Sequence, residues 1–81
     1  MRALVFEKIG DIRYTYAYLC VYLQGDKEPF MEIAVTDLKE LELTIYPRET
    51  VVILSGNQWE EILQRGRIFL PKVLADEDAS E

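Results

Sequence analysis

Apolar and polar residues alternate with a period of two along most of the first 54 positions, which is typical of half-buried β-strands. The alternation predicts four strands, over residues 2–9, 12–23, 30–36 and 41–46, and a short fifth strand over residues 51–54. Segments rich in glycine, proline and charged residues separate these runs and favour turns. Short connections usually join neighbouring antiparallel strands, so we expect a meander.

Beyond residue 54 the apolar period lengthens to three or four, which predicts one amphipathic helix. Its apolar stripe consists of Trp59, Ile62, Leu63, Gly66, Phe69, Leu70 and Val73. Ser55 and Gln58 form the pattern of a capping box at its start. Pro71 is expected to kink or stop the helix near residues 69–70. Because Gly66 lies in the stripe, we expect the helix to approach the sheet closely at that point.

These elements predict the fold class. We expect an α+β fold, a five-stranded antiparallel β-meander with one C-terminal α-helix packed on one face. Gly10 and Asp11 alone separate the first two predicted strands, which is the pattern of a tight hairpin. Such a turn would place Ile9 opposite Ile12 and Glu7 opposite Tyr14.

Four of the five tyrosines follow a period of two within the second predicted strand. They are Tyr14, Tyr16, Tyr18 and Tyr22. A strand directs alternate side chains to opposite faces, so this strand has an aromatic side, which Cys20 shares, and an aliphatic side. The aliphatic side carries Thr15, Ala17, Leu19, Val21 and Leu23. Only one side is needed for the core, and the other is available for contacts.

Strands three and four indicate which face is the core. The expected pairs are Val35 with Leu41, Ile33 with Leu43 and Met31 with Ile45, with Val51 and Ile53 extending the same face. Two interpretations of the second strand stay open: either its aliphatic residues join this core, or its tyrosines do. The first is favoured, because a buried phenol hydroxyl needs a hydrogen-bond partner.

Under the favoured interpretation the outer face of the sheet is a candidate binding surface. Its candidate residues are Tyr14, Tyr16, Tyr18, Tyr22, Val5, Ile9, Glu32, Glu42 and Tyr46. Tyrosine is enriched at the centres of protein interfaces, because it combines a large apolar ring with a polar tip. The alternative, that cross-strand tyrosines only stabilise a half-exposed sheet, stays open.

Length and charge limit the classes of function. The chain has 81 residues and a net charge of −6, which predicts one domain, residues 1–74. Acidic residues are concentrated in residues 75–81, a tail that is expected to be disordered. Binding of nucleic acid is disfavoured, because it requires a basic surface.

Residues that carry catalytic chemistry are scarce. The chain has no histidine, a single cysteine and four scattered glycines, so we expect no enzyme activity, no cofactor and no metal site. Cys20 is expected to be a small buried or half-buried apolar residue. No apolar run approaches the ~20 residues of a membrane span, and the first residues do not resemble a secretory signal. A cytoplasmic location is therefore expected.

The leading functional hypothesis is a non-catalytic protein-interaction module. It would use the tyrosine-rich sheet face to bind another protein or a second copy of itself, as a homodimer. One alternative is a single-stranded nucleic-acid binder that stacks bases on Tyr14, Tyr16 and Tyr18, although that platform has no cationic rim. Another alternative is a structural subunit with no separate activity.

Overall fold

The protein is a four-stranded sheet followed by one helix. The computed structural model describes the backbone of residues 2–79 and the side chains of residues 2–76. The elements are β1 (Leu4–Ile9), β2 (Tyr18–Leu23), β3 (Met31–Val35), β4 (Leu41–Ile45) and α1 (Gly56–Ala79). The strands form one antiparallel sheet in the order β1-β2-β3-β4. The α+β class is confirmed, with a sheet of four strands rather than five.

Helix α1 packs against one side of the sheet, which we call the inner face. The core consists of Val21, Leu23, Phe30, Met31, Ile33 and Ile62, and Leu19 packs against it. Ile33 lies opposite Leu43, and the other two predicted pairs of β3 and β4 are also present. The aliphatic side of β2 therefore belongs to the core, which confirms the favoured interpretation.

The start of α1 is fixed by the predicted capping box. The backbone N–H of Gln58 donates to Ser55 Oγ (3.1 Å), and the backbone N–H of Ser55 donates to Gln58 Oε1 (3.0 Å). The close approach at Gly66 is also confirmed, because a Cβ atom there would lie 3.3 Å from Leu41 Cδ1 and 3.4 Å from Ile33 Cγ2.

The prediction that Pro71 stops the helix near residues 69–70 is wrong, because α1 continues to Ala79; the alternative prediction, a kink at Pro71, stays a prediction. Phe69 and Val73 are both buried, one on each side of the exposed proline. Their packing holds the helix together across the missing N–H group. The helix takes in residues 75–79 of the predicted tail, and residues 80–81 lie outside the described chain.

The prediction of a tight hairpin at Gly10-Asp11 is wrong. Glu7 pairs with Cys20 rather than with Tyr14, and residues 10–17 form a loop. Asp11 stabilises this loop, since its carboxylate accepts hydrogen bonds from the backbone N–H (2.9 Å) and guanidinium of Arg13. Asp11 thus forms a local turn with its side chain and does not act as a hairpin residue. The register is displaced by six residues, an even number, so Tyr18 and Tyr22 stay on the predicted side.

The prediction of a fifth strand is also wrong. Residues 51–54 have no strand structure, and the residues that face the core are the ones that were expected to face away from it. Val51 (86% exposed) and Ile53 (73% exposed) face solvent, whereas Val52 and Leu54 pack against the core. Upstream, Arg48 lies 3.5 Å from Asp26 in the β2–β3 loop, so this segment crosses the end of the sheet instead of running beside β4.

Candidate interaction face

The side of the sheet opposite α1 carries the predicted tyrosines. The strand residues that face this side are Val5, Glu7 and Ile9 of β1, Tyr18, Cys20 and Tyr22 of β2, Glu32 and Ala34 of β3, and Glu42 and Thr44 of β4. Together with Tyr46, which follows β4, they form what we call the tyrosine–glutamate face. Three of these side chains are carboxylates and none is basic, so the face is negatively charged.

Two tyrosine hydroxyls on this face donate hydrogen bonds to glutamates of neighbouring strands. Tyr22 Oη donates to Glu7 Oε1 (3.0 Å), and Tyr46 Oη donates to Glu32 Oε1. Each bond fixes the ring across a strand boundary and leaves the second carboxylate oxygen free to accept another donor. The arrangement therefore presents fixed aromatic rings beside carboxylates that can still bind a cation.

The surroundings keep these phenols protonated. Burial raises the pKa of Tyr46 well above its ordinary value, and the hydrogen-bonded Glu32 carboxylate raises it further. Burial, followed by the bond to Glu7, raises the pKa of Tyr22 in the same direction. Burial also raises the pKa of Tyr18. The face thus combines neutral phenol donors with carboxylate acceptors.

Cys20 lies at the centre of the face and is nevertheless buried, with 6% of its surface exposed. In the strand register it lies between Glu7 of β1 and Glu32 of β3. Burial raises the pKa of the thiol, and the two carboxylates raise it further. The thiol is therefore held in its protonated, weakly nucleophilic form, which agrees with the prediction of a small buried apolar residue.

Tyr14 and Tyr16 do not share the strand of the other tyrosines. Both lie in the loop of residues 10–17, and Tyr14 is 59% exposed. The ring of Tyr14 packs edge-on against Tyr18, with centroids 5.8 Å apart and planes at 82°. This contact extends the aromatic surface from β2 onto the loop. Four tyrosines in one line, as the sequence predicted, are not present.

Two shallow hollows border the face. One, of about 560 Å³, is lined by residues that include Tyr46, Arg48 and Glu49. The other, of about 330 Å³, lies at the same end of the sheet beside β1 and β2, and is lined by residues that include Glu7 and Tyr22. Both hollows are open to solvent and have carboxylates in their walls. They suit side chains of a partner better than an enclosed small molecule.

The structure brings together most of the predicted site residues. Val5, Ile9, Tyr18, Tyr22, Glu32, Glu42 and Tyr46 lie on one face, whereas Tyr14 and Tyr16 lie in the adjoining loop. The prediction missed Glu7, which accepts the bond from Tyr22. The alternation of β1 contains the signal, since Glu7 has the same parity as Val5 and Ile9.

No protein-family model, characterised protein or solved structure matches this chain. The functional argument therefore depends on the chemistry of the chain's own residues. In the part of the chain that the structure describes, no helix is both long enough and apolar enough to cross a bilayer.

Proposed function

We propose that this protein is a non-catalytic interaction module whose tyrosine–glutamate face binds a basic surface of another protein. The observation that carries the proposal is the pair of hydrogen bonds from Tyr22 to Glu7 and from Tyr46 to Glu32. These bonds hold aromatic rings and carboxylates side by side on a sheet face that α1 does not cover. Arginine matches such a surface, because it pairs with carboxylates and stacks on tyrosine rings.

Charge favours a basic partner over a second copy of the same face. A homodimer joined through this face would bring Glu7, Glu32 and Glu42 of one copy close to the same residues of the other. Juxtaposed like charges oppose association unless a cation separates them. The same carboxylates disfavour stacking of nucleic-acid bases on Tyr14, Tyr16 and Tyr18, because they repel phosphates. A purely structural subunit would use the same face and differ only in its partner.

The test is capture of the protein from its own cells under gentle conditions, followed by native mass spectrometry. Glu7→Gln removes one negative charge from the face and keeps an amide oxygen that can accept the bond from Tyr22. Glu60→Gln removes one charge from an exposed position on α1 and is the matched control. We expect Glu7→Gln and Tyr18→Ala to release the captured protein, and Glu60→Gln to retain it.

The purified complex supplies the second readout. Association driven by these charges should slow as salt is added, because screening weakens long-range attraction. The partner surface that cross-links to the face should be rich in arginine and lysine. A partner that all three variants retain, or one that binds through an acidic surface, would contradict the proposal.

A further inference from the structure

Strand β4 forms one edge of the sheet, and its free backbone groups follow a regular pattern. The N–H of Tyr46 donates to Phe30 O (2.9 Å), and the N–H of Thr36 donates to Glu40 O (2.8 Å). In an antiparallel ladder, residues alternate between pointing their backbone groups toward the neighbour and away from it. The even-numbered residues of β4 therefore face β3. Leu41, Leu43 and Ile45 direct their N–H and C=O groups to the open edge.

The side chains of the same three residues are apolar and lie on the inner face. Leu43 is 37% exposed and Ile45 is 64% exposed, because α1 contacts β4 at Leu41 and leaves the rest of this margin incompletely covered. On the helix, Trp59 and Leu63 are each 40% exposed, and Trp59 borders a small apolar hollow together with Ile45. This edge thus combines unpaired backbone groups with an incompletely covered apolar strip.

The opposite edge of the sheet is protected differently. On β1, Lys8 forms an ion pair with Asp76 of the helix (3.7 Å), and the guanidinium of Arg65 lies 4.8 Å from the ring of Phe6. A lysine on an edge strand is a common device against pairing with other strands. The inward-facing residues of β4 include no charge, so its edge lacks this protection.

Within the described residues, the segment that follows β4 leaves this edge open. Arg48 reaches Asp26 at the β2–β3 loop, and Val52 and Leu54 then return to the core. The route crosses the end of the sheet, away from Leu41 and Leu43.

We propose that β4 pairs antiparallel with β4 of a second copy about a two-fold axis at Leu43. This register places Leu43 opposite Leu43 and Leu41 opposite Ile45, which are the residues whose backbone groups face the open edge. On the outer face it places Glu42 opposite Thr44, so no two carboxylates lie directly opposite each other. The sequence of β4 is therefore complementary to itself, which favours a second copy over an unrelated strand.

The pairing joins two sheets of four strands into one of eight and leaves both tyrosine–glutamate faces exposed. It does not depend on the proposed function, because it uses the edge and the inner margin rather than the outer face. The two proposals can therefore fail separately.

The test is sedimentation equilibrium with variants that charge the two-fold axis. Leu43→Lys places two like charges opposite each other and should raise the dimer dissociation constant by about tenfold or more. Leu43→Glu should do the same. An equimolar mixture of the two variants should instead form a mixed dimer, which is detected as the mass of two chains where each variant alone sediments as one. Val5→Lys is the control, since Val5 has a similar exposure (43%) but lies on β1 and the outer face.

A second readout follows the backbone. In the dimer, exchange of the amide protons of Leu41, Leu43 and Ile45 should slow as protein concentration rises. Circular dichroism tests whether each variant is folded. If a Leu43 variant is unfolded, Ile45→Lys replaces it, because Ile45 is the more exposed of the two sites. The proposal is overturned by a wild-type protein that stays monomeric up to its solubility limit, or by a dimer that Val5→Lys abolishes and Leu43→Lys does not.

Discussion

At the scale of single residues, the hydrogen bond between Tyr46 and Glu32 links stability to pH. The folded state raises the pKa of the Tyr46 phenol above its ordinary value of 10.0, chiefly through burial. The fold therefore stabilises the protonated phenol. This contribution is fully present below pH 10 and is lost as the pH rises toward the higher pKa of the folded state.

Tyr46→Phe tests this link. We expect it to lower the free energy of unfolding by about 1 kcal/mol at neutral pH, because the half-buried carboxylate of Glu32 loses a donor. We also expect a smaller loss of stability between neutral and strongly alkaline pH than in the wild type. Urea denaturation across that range measures both effects. The control is Tyr14→Phe, at an exposed ring; an alkaline loss that is equal in Tyr46→Phe and the wild type would contradict the assignment.

Cys20 illustrates what single residues reveal and conceal. Its type predicts burial, and the structure confirms it. Its place between Glu7 and Glu32 depends on which strands are neighbours and in which register. That information lies in the long-range pairing of the strands and not in the residue itself.

At the scale of elements, Gly66 determines how closely α1 packs on the sheet. Gly66→Ala should change the free energy of unfolding by less than about 1 kcal/mol, because better helix propensity offsets a tight contact with Leu41. Gly66→Leu should cost about 1–3 kcal/mol, since the fully buried Ile33 cannot move aside. Thermal and urea unfolding measure both variants.

Gly56→Ala, at the first residue of α1, is the control for a methyl group added in open space, because no atom lies within 4 Å of the added methyl position. If Gly66→Leu were as stable as Gly66→Ala, the helix would not be held against the sheet at this point.

The regular elements were predictable wherever a local pattern decides the structure. The capping box at Ser55 and the alternation of β3 and β4 each depend on neighbouring residues, and each is confirmed. The hairpin between β1 and β2 was not predictable in this way, because Asp11 can form either a tight turn or a side-chain turn with Arg13. The hairpin prediction was wrong, yet the side of the sheet predicted for Tyr18 and Tyr22 was correct. The reason is that the register is displaced by an even number of residues.

The segment of residues 51–54 shows a second limit. Alternation predicts a strand, yet a strand also needs a neighbour with which to exchange hydrogen bonds. Just upstream, Arg48 forms an ion pair with Asp26 in the β2–β3 loop, at the end of the sheet. This ion pair keeps the segment away from the edge of β4, and its residues pack as irregular chain.

At the scale of the whole molecule, Asp26 connects three separate parts of the chain. Its carboxylate lies 2.7 Å from the guanidinium of Arg2 and 3.5 Å from that of Arg48. The hydrogen bond from Arg2 is the main cause that lowers the pKa of Asp26 below its ordinary value of 3.8, despite a smaller opposing effect of burial. The stability that Asp26 contributes is therefore present above pH 3.8 and is lost as the pH falls through its lower folded value.

Asp26→Asn should lower the melting temperature at neutral pH and reduce the further loss of stability on acidification. Thermal unfolding from neutral pH to about pH 2, within the range where folded carboxylates titrate, measures the difference. Asp37→Asn, at an exposed turn residue, is the control and should behave as the wild type. An unchanged acid dependence in Asp26→Asn would show that the two arginines do not stabilise the fold through this carboxylate.

The helix that covers the sheet comes after it in the chain, and this order has a consequence during synthesis. β1–β4 are complete at Ile45, whereas Ile62 and Phe69, which close the inner face, are translated later. A nascent chain that has released only the strands exposes the apolar side chains of Val21 and Ile33 to water. We expect such a chain to bind chaperones that recognise apolar segments at the ribosome, and to complete its folding only when the helix has left the exit tunnel.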